Sequence, residues 1–366
     1  MRCLISIPLL LLLCGCADLG YYWQNARGHL AVMERRVEIS DLLADDSLDQ
    51  HLRERLLLVQ EIRDFSVERL ALPDNGSYHS YVELGRPYLI KNLFAAEEFS
   101  TRLRQWCYPV IGCASYRGYY DEDRLREYIE RLTAEGLDVY VGKVPAYSTL
   151  GWFDDPVLSS FIDWPDFRLA GLLFHELTHQ RIYVDDDTTF NESLASAVQQ
   201  VGTRLWLQSR QRGDELTSLS AWMSYRSEVI SLIEATRERL SALYRETIDD
   251  AAKRERKAAI FSEARSDHDA IAAKHGITGG FHQWFADGLN NAKIGSVSAY
   301  NAEVPAFVAI LQAEELDFAD FFDYIEALAA LDKETRDACL EAWSESPAAA
   351  RDACSAAGEF PPTASS

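Results

Sequence analysis

The sequence lacks a basic stripe interleaved with aromatic residues. Its 36 Lys and Arg are outnumbered by 58 Asp and Glu, giving a net charge of −22. A surface of that sign repels phosphate backbones, which argues against nucleic acid as a partner. It also lacks internal repeats, so a solenoid or propeller is excluded. The apolar run from Leu4 to Leu13 is too short to span a bilayer as a helix, which needs about 20 residues. Cysteine is sparse, seven in 366 residues, and neither Cys107/Cys113 nor Cys339/Cys354 has the close spacing of a zinc knuckle. What is present is ample apolar material: 48% hydrophobic and 11% aromatic residues can build the core of one large domain or two.

The N-terminus, MRCLISIPLLLLLCGCADLG, has an early Arg, the short apolar run and then small residues. This order reads as an export signal over residues 1–15. Leu13, Cys14, Gly15 and Cys16 resemble a bacterial lipobox, which implies that Cys16 is acylated and anchors the chain to a membrane. By the same sorting rules, Ala17 implies the outer membrane, with the protein facing the periplasm. Processing removes Cys3 and Cys14, and lipidation uses Cys16. Cys107, Cys113, Cys339 and Cys354 remain, an even number in an oxidising compartment. Local pairing, 107 with 113 and 339 with 354, is the economical one of three connectivities.

A single α+β domain, mainly helical, is expected over residues 16–350, with a loose tail over 351–366. GYYWQNARGHLAVM reads as a helical arm. Leu48, Leu52, Leu56, Val59 and Ile62 recur at helical spacing up to the PDNG turn. Between about 77 and 160 the Tyr- and Val-rich stretches YHSYVEL, PYLIKNLF and LDVYVGKV predict a small sheet with one helix near 123–135. From about 165 to 345 the pattern is helical. Residues 224–272 form one long charged helix or a pair, broken by HGITGG.

The chemistry sits in LLFHELTHQ, residues 172–180. Residues four apart on a helix project from one face, so His175 and His179 can share one ion. Glu176 lies about 100° round the helix, placed to meet a water without being a ligand itself. Two neutral imidazoles and such a carboxylate point to Zn2+ and hydrolysis. A third ligand is required. Glu192, in the FNESLA stretch twelve residues after His179, is the first candidate; Asp185, Asp186 and Asp187 are the rivals.

HELTH followed by FNESLA resembles the gluzincin class of zinc peptidases. More closely, GYYWQNARGHL, YRGYYD, AYSTLGWFDDP, FHELTHQ, FNESLA and NNAKIGSVSAY, from Gly20 to about Leu311, together resemble the bacterial family of putative zinc aminopeptidases. The resemblance implies a small mixed sheet against the zinc helix, peptide substrates, and Glu176 as general base. It also implies an edge strand for substrate at 144–156, where Gly151 allows close approach and Tyr147 and Trp152 wall a pocket; Asp154 and Asp155 are candidates for a substrate amine. A late Tyr to stabilise the oxyanion is expected at Tyr300, with His282 as its alternate. Asn290 and Asn291 hold backbone or substrate. Two other readings stay open: a non-catalytic lipid-anchored envelope protein with a vestigial or structural zinc, and a zinc hydrolase of cell-wall peptides.

Overall fold

The computed structural model describes residues 16–108, 112–146, 149, 151–298, 303–313, 317–346, 350 and 354. Tyr147, Tyr300 and the signal segment lie outside them, as does nearly all of the expected tail; Cys16 is described in its backbone alone. The fold is α+β and mainly helical, with small mixed sheets.

The N-terminal arm is helix α1 (Cys16–Met33). After it come β1 (Val37–Glu38), α2 (Ile39–Ala44) and α3 (Gln50–Leu70). Asp49 starts α3 by accepting a hydrogen bond from the backbone N–H of Leu52, and Ala71 ends it in the left-handed conformation. The helix therefore stops before the PDNG turn. The sheet region contains β2 (Ser80–Val82), β3 (Ile90–Ala96), β4 (Trp106–Tyr108), β5 (Gly112–Ala114), β6 (Arg117–Tyr119), α4 (Glu122–Ala134), β7 (Asp138–Val144) and β8 (Val157–Leu158). Its strands divide among three small sheets rather than one: β1-β2-β8, β6-β3-β7 and the hairpin β4-β5. The first is mixed, with β1 antiparallel and β8 parallel to β2.

The rest is helical: α5 (Asp166–Arg181), α6 (Thr188–Ser209), α7 (Gly213–Arg245), α8 (Asp250–His275), α9 (His282–Ala286), α10 (Asn291–Ser298), α11 (Val304–Ala313), α12 (Phe318–Ala329) and α13 (Lys333–Glu345). The long charged segment is thus a helical pair, α7 and α8. Val229, Ile233 and Leu240 face Phe261 and Ala264 across it, and the pair ends at Gly276 (φ 65).

One large core joins α3, the β1-β2-β8 sheet, α5, α6 and α11 to α13. Leu169, Leu173, Phe174 and Leu177 of α5 are fully buried in it, each contributing about 2 kcal/mol of burial. The helix carrying HELTH is thereby fixed along most of its length. A second sheet, β6-β3-β7, packs α4 on one face through Leu93, Leu125 and Leu132 and α10 on the other through Phe94 and Ala292.

The cysteines divide. Cys107 and Cys113 face each other across β4-β5 and form a disulfide. The expected bond between Cys339 and Cys354 is not formed; both are buried free thiols. Burial, with Cys339 alongside, pushes the Cys354 thiol up to about 12, which suppresses the thiolate that disulfide formation needs.

Candidate metal and catalytic site

Helix α5 begins at Pro165, which sits just outside the first turn as its N-cap. Helix α6 begins at Asp187, whose side chain accepts from the backbone N–H of Phe190. Between them, Asn191 braces the acidic turn through two hydrogen bonds to the Val184 backbone, each 2.8 Å. Gly171 lets the two helices approach closely: a Cβ there would meet the Thr203 hydroxyl at 3.0 Å and Gln199 at 3.1 Å. The resulting antiparallel pair brings Glu192, the fifth residue of α6, over the histidines of α5.

His175 Nε2 and His179 Nε2 lie 3.2 Å apart. Glu192 stands 3.3 Å from His175 Nε2 and 3.8 Å from His179 Nε2. All three donor atoms fall within 4.8 Å of one another. Tetrahedral zinc with arms of about 2.1 Å would separate its donors by about 3.4 Å, so the donor set fits one such ion. The side chains are mostly enclosed, His179 8% and Glu192 26% exposed. Burial and the charge on His175 pull His179 down to about 4, which keeps its imidazole neutral, the form that binds metal. For His175 burial opposes the charge, but the Glu192 hydrogen bond and the charges of Glu176 and Glu192 outweigh it and raise its pKa. Burial likewise opposes ionisation of Glu192, and His175 and His179 more than offset it. The carboxylate is therefore held ionised.

Of the rival aspartates, Asp187 is committed elsewhere. It caps α6 and accepts hydrogen bonds from Arg336 at 2.7 Å and Lys333 at 3.0 Å. Among the described residues, Asp185 and Asp186 do not join the cluster of possible ligands. Glu176 is buried at 8% exposure and stands outside the cluster. Its charge is felt by two tyrosines, Tyr78 and Tyr116.

Those tyrosines were not singled out from the sequence. Tyr78 is buried with φ 65, a conformation that costs a bulky residue energy and needs rigid surroundings. Its N–H donates to Asp155 O at 2.6 Å, and burial with Glu176 and Asp155 nearby raises its pKa well above the ordinary value. Tyr116 lies between β5 and β6, exposed at 37% and with its ring 5.9 Å from that of Phe94. Desolvation of the phenol by its neighbours, then the charges of Glu192, Tyr183, Tyr21 and Glu176, pushes it up to about 12. It stays protonated, a hydrogen-bond donor within range of the Glu192 and Glu176 charges. Tyr183, 6.5 Å from the His179 ring centre, completes an aromatic rim.

The expected substrate segment differs from its forecast. β7 stops at Val144, and no described residue between it and β8 lies in a strand. Gly151 has φ 79 in a turn, and Trp152 is 83% exposed, so it is not enclosed as a pocket wall. Asp155 is a buried brace rather than an amine acceptor. It accepts from Gln180 Nε2 at 2.9 Å and from the Thr149 N–H at 3.0 Å, tying the loop to the end of α5. His282 packs against His268 at 4.9 Å in the α7-α8 core, away from the metal cluster. Asn290 donates to Val139 O, and Asn291 donates to the carbonyls of Glu97 and Glu98. Both asparagines hold backbone.

A family model described as "Putative aminopeptidase" matches residues 20–340. No curated protein and no solved structure matches the chain.

Proposed function

The chain belongs to the putative aminopeptidase family, whose substrates are peptides, and we propose that it is a zinc-dependent peptidase. The supporting observation is the convergence of His175 Nε2, His179 Nε2 and Glu192 within 4.8 Å, with a buried carboxylate, Glu176, beside them and outside the set. A purely structural site normally closes its fourth position with a side chain. These residues would hold the ion and leave one position open. When bound, zinc supplies Lewis acidity, making water a nucleophile near neutral pH and drawing charge from a peptide carbonyl.

Glu176 accepts the proton of the water as it adds to the carbonyl, then returns that proton to the departing amine. Tyr116 donates a hydrogen bond to the oxyanion; its high pKa keeps the donor intact across neutral pH. Burial by the α5 core and the Asp155–Gln180 brace fix Glu176 against its ligand neighbours. Two variants test the reading. Glu176→Gln retains zinc and loses at least about 10³-fold in kcat/KM; His179→Ala loses both zinc and turnover. A fully active Glu176→Gln on a peptide substrate would rule the mechanism out.

The same reading includes a lipid anchor at Cys16 and residence at the outer membrane, facing the periplasm. The lipobox-like residues support it, and the Cys107–Cys113 disulfide suits an exported protein. No helix among the described residues is long and apolar enough to cross a membrane. Cys16→Ser is expected to move the protein from the membrane to the soluble fraction; retention there would contradict the anchor.

A further inference from the structure

On α5, Arg168, Leu172, His175 and His179 follow one another at helical spacing and share a face. On α6, Glu192, Ser196, Gln199 and Thr203 do the same. The metal ligands occupy one end of this paired stripe. The other end floors a cavity of about 950 Å³, closed on its far side by α7 and the start of α11. Its volume is at the upper end for ligand pockets, about 300–1,000 Å³, enough for several residues of peptide.

The charge of this cavity is opposite to that of the molecule. In a chain with net charge −22, it is lined by Arg168, Arg204 and Arg226 and by a single acid, Glu228. Glu228 is already paired with Lys274 at 2.7 Å, with His275 Nε2 3.0 Å away. Among the described residues neither Arg168 nor Arg204 has a carboxylate partner; Arg168 lies 4.4 Å from the Trp164 ring and 5.9 Å from the Trp222 ring. Arg168 and Arg204 are exposed at the cavity wall and Arg226 is half-buried, where burial lowers its pKa. Arg226 is close enough for its charge to act on His175. Arg226 thus couples the cavity to the metal cluster electrostatically.

Resting on the peptidase reading above, we propose that this cavity is the substrate cleft and selects peptides carrying a carboxylate, from the C-terminus or an acidic side chain, a few residues from the scissile bond. Arg168 is seven residues from His175, roughly 10 Å along the helix, the reach of about three extended residues. A guanidinium is matched by a planar carboxylate through paired hydrogen bonds. Leu172 and the two tryptophans pack the intervening apolar side chains.

The test uses the zinc-loaded full chain and matched peptides: C-terminal acid against amide, and Glu against Gln three residues beyond the cleaved bond. Cleavage of the anionic member is expected with KM roughly tenfold lower per arginine engaged and kcat little changed. The acid–amide pair and the Glu–Gln pair identify which carboxylate is read. Arg168→Gln with Arg204→Gln erases the preference, while Arg210→Gln, on the outer surface, keeps it. Equal cleavage of both members, or a preference surviving in the double variant, overturns the proposal. If no peptide is cleaved although zinc is bound, the peptidase reading has failed. The cleft is then judged by peptide binding to Glu176→Gln, followed through tryptophan fluorescence: tighter binding of the anionic member, lost in the arginine variant, upholds it, and equal binding refutes it.

Discussion

Glu176 and Tyr116 illustrate how differently two residues of one site can be read from a sequence. Glu176 stands next to His175, so helical geometry alone places it beside the ion; Tyr116 is separated from HELTH by about 60 residues and arrives through the β5-β6 connection. Only the reach of the Glu192 and Glu176 charges to its phenol points to it. Tyr116→Phe should retain zinc and lower kcat roughly 10²-fold with little change in KM; an unchanged kcat would remove it from the mechanism. Tyr300, the expectation for this part, lies outside the described residues. A second residue-scale effect concerns Glu303, whose buried Oε2 has no hydrogen-bond partner among the described residues. Burial, with Asp187 and Asp337 nearby, raises it from 4.5 to about 7. Between these values the folded chain binds a proton that the unfolded chain has released, so stability falls as pH rises through that window and the full cost remains above about 7. Glu303→Gln should therefore gain about 2 kcal/mol at pH 8, after a discount for partial exposure, and nothing at pH 4. Parallel stability-against-pH curves for the two proteins would contradict this.

The elements that hold the site were legible wherever a signal is local. His175 and His179 at i and i+4, the acidic turn, and Glu192 early in the next helix all depend on neighbours in sequence, and the structure brings them together. What was not legible depends on distant partners. The resemblance implied an edge strand at 144–156, yet Asp155 is drawn to Gln180 and Ser77 and no described residue from 145 to 156 lies in a strand. Cys339 and Cys354 were paired by number, which says nothing about the state of buried thiols. Arg168, Arg204 and Arg226 lie on three helices, so no window of sequence shows them as a group. Asp187 exemplifies an element-scale dependency: it starts α6 and forms a buried pair with Arg336, the two side chains 4% and 5% exposed. Asp187→Ala removes the cap and strands that guanidinium, at a cost of about 3–5 kcal/mol. Asp187→Asn retains the cap and is expected to be milder. Because Glu192 lies one turn further on, zinc affinity should weaken in the same order. Denaturant titrations with and without zinc would check both, and equal stabilities would contradict the account.

At the scale of the whole molecule, a strongly acidic chain carries a cavity lined by three arginines and one glutamate, on the same helix pair as the two histidines and the glutamate of the candidate metal site. The largest core packs against α5 and α6, and α7, itself packed on α8, forms the cavity's opposite wall. Zinc binding to the folded chain alone would stabilise it through mass action, by about 2.7 kcal/mol at a hundredfold excess over Kd. The most direct measurement is the zinc stoichiometry and affinity of the purified chain beside Glu192→Ala. One zinc per chain, lost or sharply weakened in the variant while the fold persists, is the predicted result. Undiminished binding in Glu192→Ala would move the third ligand elsewhere, and no binding after reconstitution of the parent chain would contradict the metal site itself.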